Sequence, residues 1–159
     1  MEFQCARGHV FKEAPGAVVY RNNKTCRLCR FYVCHDDSES TVLTQEDLQP
    51  IVDALIANQS GSIMLTPVRD TFPMIQAFVS GQYGHLDYWP TDHTTMHVAT
   101  GMTPEDCSEV VHFQYSREKS DDGFEAQKAL VVPAEVACDA LFEFLTDGSR
   151  PDSVNWVEL

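Results

Sequence analysis

The sequence predicts an α+β fold: a mostly antiparallel sheet with two packed helices, behind a small β-hairpin module at the N-terminus. Three observations predict it. Six short apolar stretches between residues 62 and 132 follow one another across proline- or glycine-rich breaks, with no helical pattern between them; that is how strands joined as a meander read. Two segments, one after Thr44 and one after Pro133, instead repeat their apolar residues three and four apart, the period of an amphipathic helix. The first 31 residues differ from both: they are basic and hold three of the six cysteines.

In chain order, Ala17-Val18-Val19-Tyr20 followed by Arg21-Asn22-Asn23-Lys24 reads as a strand and turn of a hairpin, and Arg30–Cys34 as a strand leading out of it. Thr44-Gln45-Glu46-Asp47 has the pattern of a capping box ahead of Leu48, Ile51, Val52, Leu55 and Ile56. Pro50 interrupts that stripe and is expected to bend the helix or mark its first turn; Asn58-Gln59-Ser60-Gly61 ends it. Strands are expected at Ser62–Thr66, Met74–Ser80, Tyr83–Trp89, Thr95–Thr100, Glu109–Tyr115 and Ala126–Val132. Pro133 suits the first position of a second helix, with Val136, Ala140, Leu141, Phe144 and Leu145 as its apolar stripe and Gly148 as its stop. Glu135, Asp139 and Glu143 stand four apart on another face, where like charges repel, so a cationic neighbour is expected. Ser153–Leu159 returns as a short strand.

The N-terminal segment carries the clearest chemistry. Cys5-Ala6-Arg7-Gly8-His9 is followed sixteen residues later by Cys26-Arg27-Leu28-Cys29. Two close ligand pairs on tight knuckles, separated by a loop of this length, suit a tetrahedral zinc ion, and Gly8 lets the first knuckle turn sharply. The pattern resembles a zinc ribbon over residues 3–31, so the domains expected are a zinc-ribbon-like module at 1–31 and an α+β domain at 32–159. Cys34 and His35 compete with His9 for the fourth place. Four protein ligands leave the metal no open position, which makes it structural; such sites contribute roughly 10–16 kcal/mol to ordering small modules.

Charge divides the chain in the same place. Residues 1–35 hold six basic and two acidic side chains, whereas residues 36–159 hold five basic and 22 acidic ones, a balance of −17. Such a body repels nucleic acid and anionic membrane and speeds encounter with a basic partner. No apolar run approaches the length of a membrane span. No apolar region follows Met1-Glu2, so a cytoplasmic location with reduced or metal-bound cysteines is expected.

No catalytic constellation stands out. His93-Thr94-Thr95-Met96-His97 spaces two histidines four apart, but its β-branched residues favour a strand, on which they would lie about 13 Å apart. The intervening glutamate of a zinc-protease pattern is absent. His85 and His112 are single histidines within strands. Cys107 is flanked by Glu105, Asp106 and Glu109, which disfavour a thiolate, and Cys138 falls inside the second helix.

The C-terminal half carries a family likeness. A proline-entered helix, Phe144-Leu145, Gly148, Arg150-Pro151, and Trp156 with Glu158 near the end together resemble the close of Imm1-family immunity proteins. Phe72–Phe78 and Gly84–Tyr88 are similar to that family's paired central strands. The resemblance covers about residues 31–159; the cysteine module departs from it. It implies an immunity protein, without enzymatic activity, that binds a cognate bacterial toxin domain of deaminase or nuclease type as a 1:1 heterodimer and blocks its active site. The acidic body fits such a partner, because a toxin acting on nucleic acid needs a basic groove. Aromatic anchors mixed with acids in Asp87-Tyr88-Trp89-Pro90-Thr91-Asp92-His93 suggest contact residues at Asp87, Tyr88, Trp89, Asp92 and His93, with Glu118, Asp121 and Asp122 as an acidic rim. Two alternatives stand beside this one. A zinc-ribbon nucleic-acid-binding or transcriptional accessory protein would bind through Arg7, Lys12, Arg21, Lys24, Arg27 and Arg30, and a small metalloenzyme would use His85, His93, His97 or His112.

Overall fold

A computed structural model describes residues 2–4, 10–12, 31–36, 38–67, 72–91, 95–101, 109–116 and 122–159. It has the α+β architecture with a mostly antiparallel sheet and two helices. At the N-terminus, β1 (Glu2–Gln4) pairs with β2 (Val10–Lys12), Gln4 opposite Val10. The body runs β3 (Phe31–His35), β4 (Ser38–Val42), α1 (Gln45–Asn58), β5 (Ser60–Thr66), β6 (Met74–Ser80), β7 (Tyr83–Trp89) and β8 (His97–Thr100). It continues with β9 (Val110–Gln114), β10 (Gly123–Gln127), β11 (Val132–Pro133), α2 (Ala134–Asp147) and β12 (Asn155–Glu158).

The main sheet has the order β12-β8-β7-β6-β5-β3-β4, with β11 added to β7. Strands β5 to β8 are the expected meander. The strand expected at 126–132 is instead the end of β10, a 3-10 turn at Lys128–Leu130 and the two residues of β11. β9 and β10 also leave the meander and form a separate two-stranded sheet, which lies against β5 and β6. β4 was not expected. Ser38–Thr41 are polar and exposed, as befits an edge strand whose charge and polarity discourage further pairing.

Both helices lie on one face. α1 starts where Thr44 Oγ1 accepts the Asp47 N–H and Asp47 Oδ2 accepts the Thr44 N–H, so both halves of the capping box form. These bonds, led by the one from the Leu43 amide, hold the Asp47 carboxyl below its usual range. The helix continues through Pro50 and ends on Gln59 in the left-handed region. Pro133 is the cap of α2 and not its first residue, and Gly148 closes the helix at φ 76°.

The helix-side core joins Ile63 and Leu65 of β5, Ile75, Ala77 and Val79 of β6, and Leu86 of β7 to Leu141, Phe144 and Leu145 of α2 and Leu48, Val52 and Leu55 of α1. Phe144 meets Phe31 edge to face at 5.5 Å. Gly84 allows the close approach of α2 to β7, since a Cβ there would stand 2.7 Å from that of Ala137. Cys138 is buried in this layer, and burial, with Asp139 and Glu135 nearby, pushes its thiol up to about 12. It is therefore protonated and unreactive.

Phe144 is 0 % exposed and Ile56 38 %. Phe144→Ala is therefore expected to cost about 3–5 kcal/mol, and Ile56→Ala about 0.5 kcal/mol or less. Denaturant unfolding of both variants checks this; equal losses would contradict the packing described.

Candidate functional site

Side chains alternate between the two faces of a strand, and the register sorts them into rows. On the face away from the helices, Ser62, Phe78 and His85 form one row and Cys34, Met64, Gln76 and Asp87 the next, with Met74 opposite Trp89 beyond. The β9–β10 hairpin covers the first row. Phe113 and Phe124 stack at 5.6 Å, and Phe124 meets Phe78 edge to face at 4.9 Å. Ser62 Oγ donates to Tyr115 O at 3.0 Å, pinning the hairpin end to β5.

Past that end the face opens into a cleft of about 420 Å³. Tyr115 and Phe124 form its hairpin wall; Met74, Trp89 and Met96 line it from the sheet, with Gln76 and Asp87 as its polar floor. Asp87 is 9 % exposed. Its Oδ1 stands 2.8 Å from His85 Nε2 but makes no aligned hydrogen bond. The other ring nitrogen, Nδ1, stands 3.0 Å from Leu130 O. A carbonyl only accepts, so in this bond Nδ1 is the donor. The arrangement is a largely buried acidic group beside one imidazole, at the foot of an aromatic and methionine-lined cleft.

The sequence-predicted contact residues separate accordingly. Asp87 and Trp89 face the cleft, but the segment they occupy is the end of β7, not a loop. Tyr88 points the other way, packs near Phe144, Trp156 and His97, and is 8 % exposed, so its side chain serves the core. Asp122 is exposed beside the cleft, its carbonyl accepting the Tyr115 N–H. Asp92, His93, Glu118 and Asp121 lie outside the described residues, as do Cys5, His9, Cys26 and Cys29. Sequence reasoning missed Met74, Gln76, Met96, Tyr115 and Phe124. The alternation of β6 against β7 carried a signal for Gln76 and Met74; nothing local announced that the hairpin would fold over this face.

The histidines considered for catalysis are dispersed. His97 Nδ1 lies 2.7 Å from Arg150 Nη1, which donates to it, and its Nε2 lies 3.9 Å from Glu158. His112 sits opposite Glu125 on the exposed side of the hairpin. Among the described residues, no three histidine, cysteine or carboxylate side chains converge as a metal site.

The C-terminal motif is a structural clasp. Trp156 Nε1 donates to Pro151 O at 2.8 Å, Arg150 bonds His97, and β12 pairs along β8. Glu143 completes it: its carboxylate accepts the Asp152 N–H at 2.6 Å. The partner of this acidic helix position is therefore the returning backbone and not the expected cation. A hydrogen bond with Ser153, together with the backbone amides, holds the Glu143 carboxyl below its usual value.

The fold and this face define a small α+β protein with helices closing one side of its sheet and a partly covered cleft on the other. The model of immunity protein Imm1 matches residues 36–158, and the chain belongs to that family. By family it is an immunity protein, directed against a toxin. Comparison with curated proteins gives no match. Among the described residues no helix is long and apolar enough to cross a membrane.

Because the folded Glu143 carboxyl lies below its ordinary 4.5, its contribution is full above the unfolded value and is lost as pH falls through the folded one. Glu143→Gln is expected to cost about 1 kcal/mol at pH 7, with the gap from the unaltered protein closing below pH 4.5. Urea titrations at pH 7 and pH 3 check this; a gap that persists at pH 3 would mean that the charge is not its source.

Proposed function

We propose that the protein binds a cognate bacterial toxin domain of nucleic-acid deaminase or nuclease type as a 1:1 complex and blocks its active site or substrate groove, with no catalysis of its own. The observation that carries this beyond the family is charge: residues 36–159, almost the span of the family match, have a balance of −17. A domain that acts on nucleic acid presents a basic groove. An acidic partner complements that groove, competes with phosphate and is steered to it. The open cleft supports the same reading, since it combines Trp89 and Tyr115 with a buried acid, the mixture found at binding hot spots.

The N-terminal module is proposed to hold one structural zinc through Cys5, His9, Cys26 and Cys29. The pairing of Gln4 with Val10 supports this, because it brings together the two ends of the segment holding Cys5 and His9. Zinc there would order the module and leave the acidic body to bind.

Co-expression with the product of the adjacent upstream gene, followed by pull-down, growth rescue and metal analysis, tests both proposals. The expected result is a stable 1:1 complex that restores growth, associates more slowly as salt is raised, and contains one zinc per chain. Nucleic acid co-purifying in place of a toxin complex would overturn the immunity mechanism and favour a basic zinc module that binds nucleic acid. Cys26→Ser is expected to abolish zinc retention; an unchanged metal content would remove Cys26 from the ligand set.

A further inference from the structure

We propose that the cleft between the β9–β10 hairpin and the ends of β6 and β7 receives one arginine side chain of the toxin, its guanidinium set on Asp87. This deepens the immunity mechanism and rests on it. Three observations carry it. Asp87 lines the cleft and is only 9 % exposed; its Oδ1 is shut from solvent 2.8 Å from His85 Nε2, so a donor entering the cleft meets the rest of the carboxylate. A charge-assisted hydrogen bond made in so sheltered a place is stronger than one at a solvated acid.

The walls select among donors. Trp89, Tyr115 and Phe124 present aromatic rings, with Met74 and Met96 beside them. A guanidinium is planar, weakly hydrated and stacks on aromatic faces, whereas an ammonium is compact and strongly hydrated. Gln76 lies opposite Asp87 in the register, where its amide oxygen supplies a second acceptor for a group with five N–H donors. The volume of about 420 Å³ is ample for one long side chain. The charge of the body draws a basic partner to this surface.

The test uses the full chain and the product of the adjacent upstream gene. Asp87→Asn keeps the shape of the side chain, and circular dichroism with thermal melting verifies that it folds. It is expected to raise the Kd by about 30-fold or more, chiefly through faster dissociation. Glu135→Gln, the same change of charge at an exposed position on the helix side, is expected to change it less than about threefold. Replacing the toxin's arginines singly by alanine should reveal one whose loss is strongly non-additive with Asp87→Asn, the signature of direct contact. A wild-type complex that Asp87→Asn leaves unchanged overturns the arginine seat and leaves the immunity mechanism standing. Strict additivity with every arginine also overturns it, as does weakening by Trp89→Ala without weakening by Asp87→Asn, which would mark an apolar occupant. Absence of any complex with the unaltered protein overturns the mechanism and the seat together.

Discussion

The register between β6 and β7 is the constraint on which the rest of the molecule depends. Seven consecutive residue pairs, from Met74 opposite Trp89 to Ser80 opposite Tyr83, lock two central strands whose side chains alternate in purpose. Ile75, Ala77, Val79, Leu86 and Tyr88 go to the helix side; Phe78, His85, Asp87 and Trp89 go to the other. A slip of one residue would exchange the two sets, placing a carboxylate and an imidazole against α2 and exposing the apolar residues. Gly84 belongs to the same constraint, because α2 can reach β7 only where no Cβ intervenes.

That constraint also separates what was legible in the sequence from what was not. The bounds of β6 and β7 could be read directly, since clean breaks at Pro73, Gly81 and Pro90 enclose β-branched and aromatic residues. α1 was legible through its capping box and α2 through its apolar stripe. β4 was not: Ser38-Glu39-Ser40-Thr41 has neither alternation nor burial, and only its pairing with β3 makes it a strand. The fate of β9 and β10 was equally hidden. Their sequences read as strands, but whether they extend the sheet or fold over it depends on long-range contacts such as Phe124 with Phe78, which no local pattern encodes. For the same reason Asp87, Tyr88 and Trp89, adjacent in sequence and suggestive together, divide between cleft and core. The cysteine and histidine pairs of the N-terminal module were the sharpest motif in the sequence and lie outside the described residues.

The hairpin explains why this face is only partly filled. Its Phe113 and Ala126 join Phe78 of β6 and Val131 in a small second core, enough to bury the row containing His85. Among the described residues its coverage reaches Tyr115, one row short of Asp87. Full coverage would have sealed Asp87 in an apolar layer, where an ionised carboxylate is strongly disfavoured. No coverage would have left His85 and Asp87 in water, where their pairing would count for little. The intermediate arrangement leaves the carboxylate beside one imidazole and, among the described residues, reachable from one direction.

Such a site on a sheet differs in kind from one on a loop. The backbone under Asp87 and Trp89 is bonded to β6 on one side, and Asp87 meets β8 on the other. Neither residue therefore has to be ordered when a partner arrives, and the entropy cost of binding falls accordingly. The clasp formed by Arg150, Trp156 and Glu143 extends that rigidity to β8, which flanks β7, and to β12 beyond it. For the toxin binding proposed above, binding energy not used to order the binding surface remains available as affinity. The residues that resemble the family most closely at the C-terminus thus act at a distance from the cleft, by fixing the strands that build it.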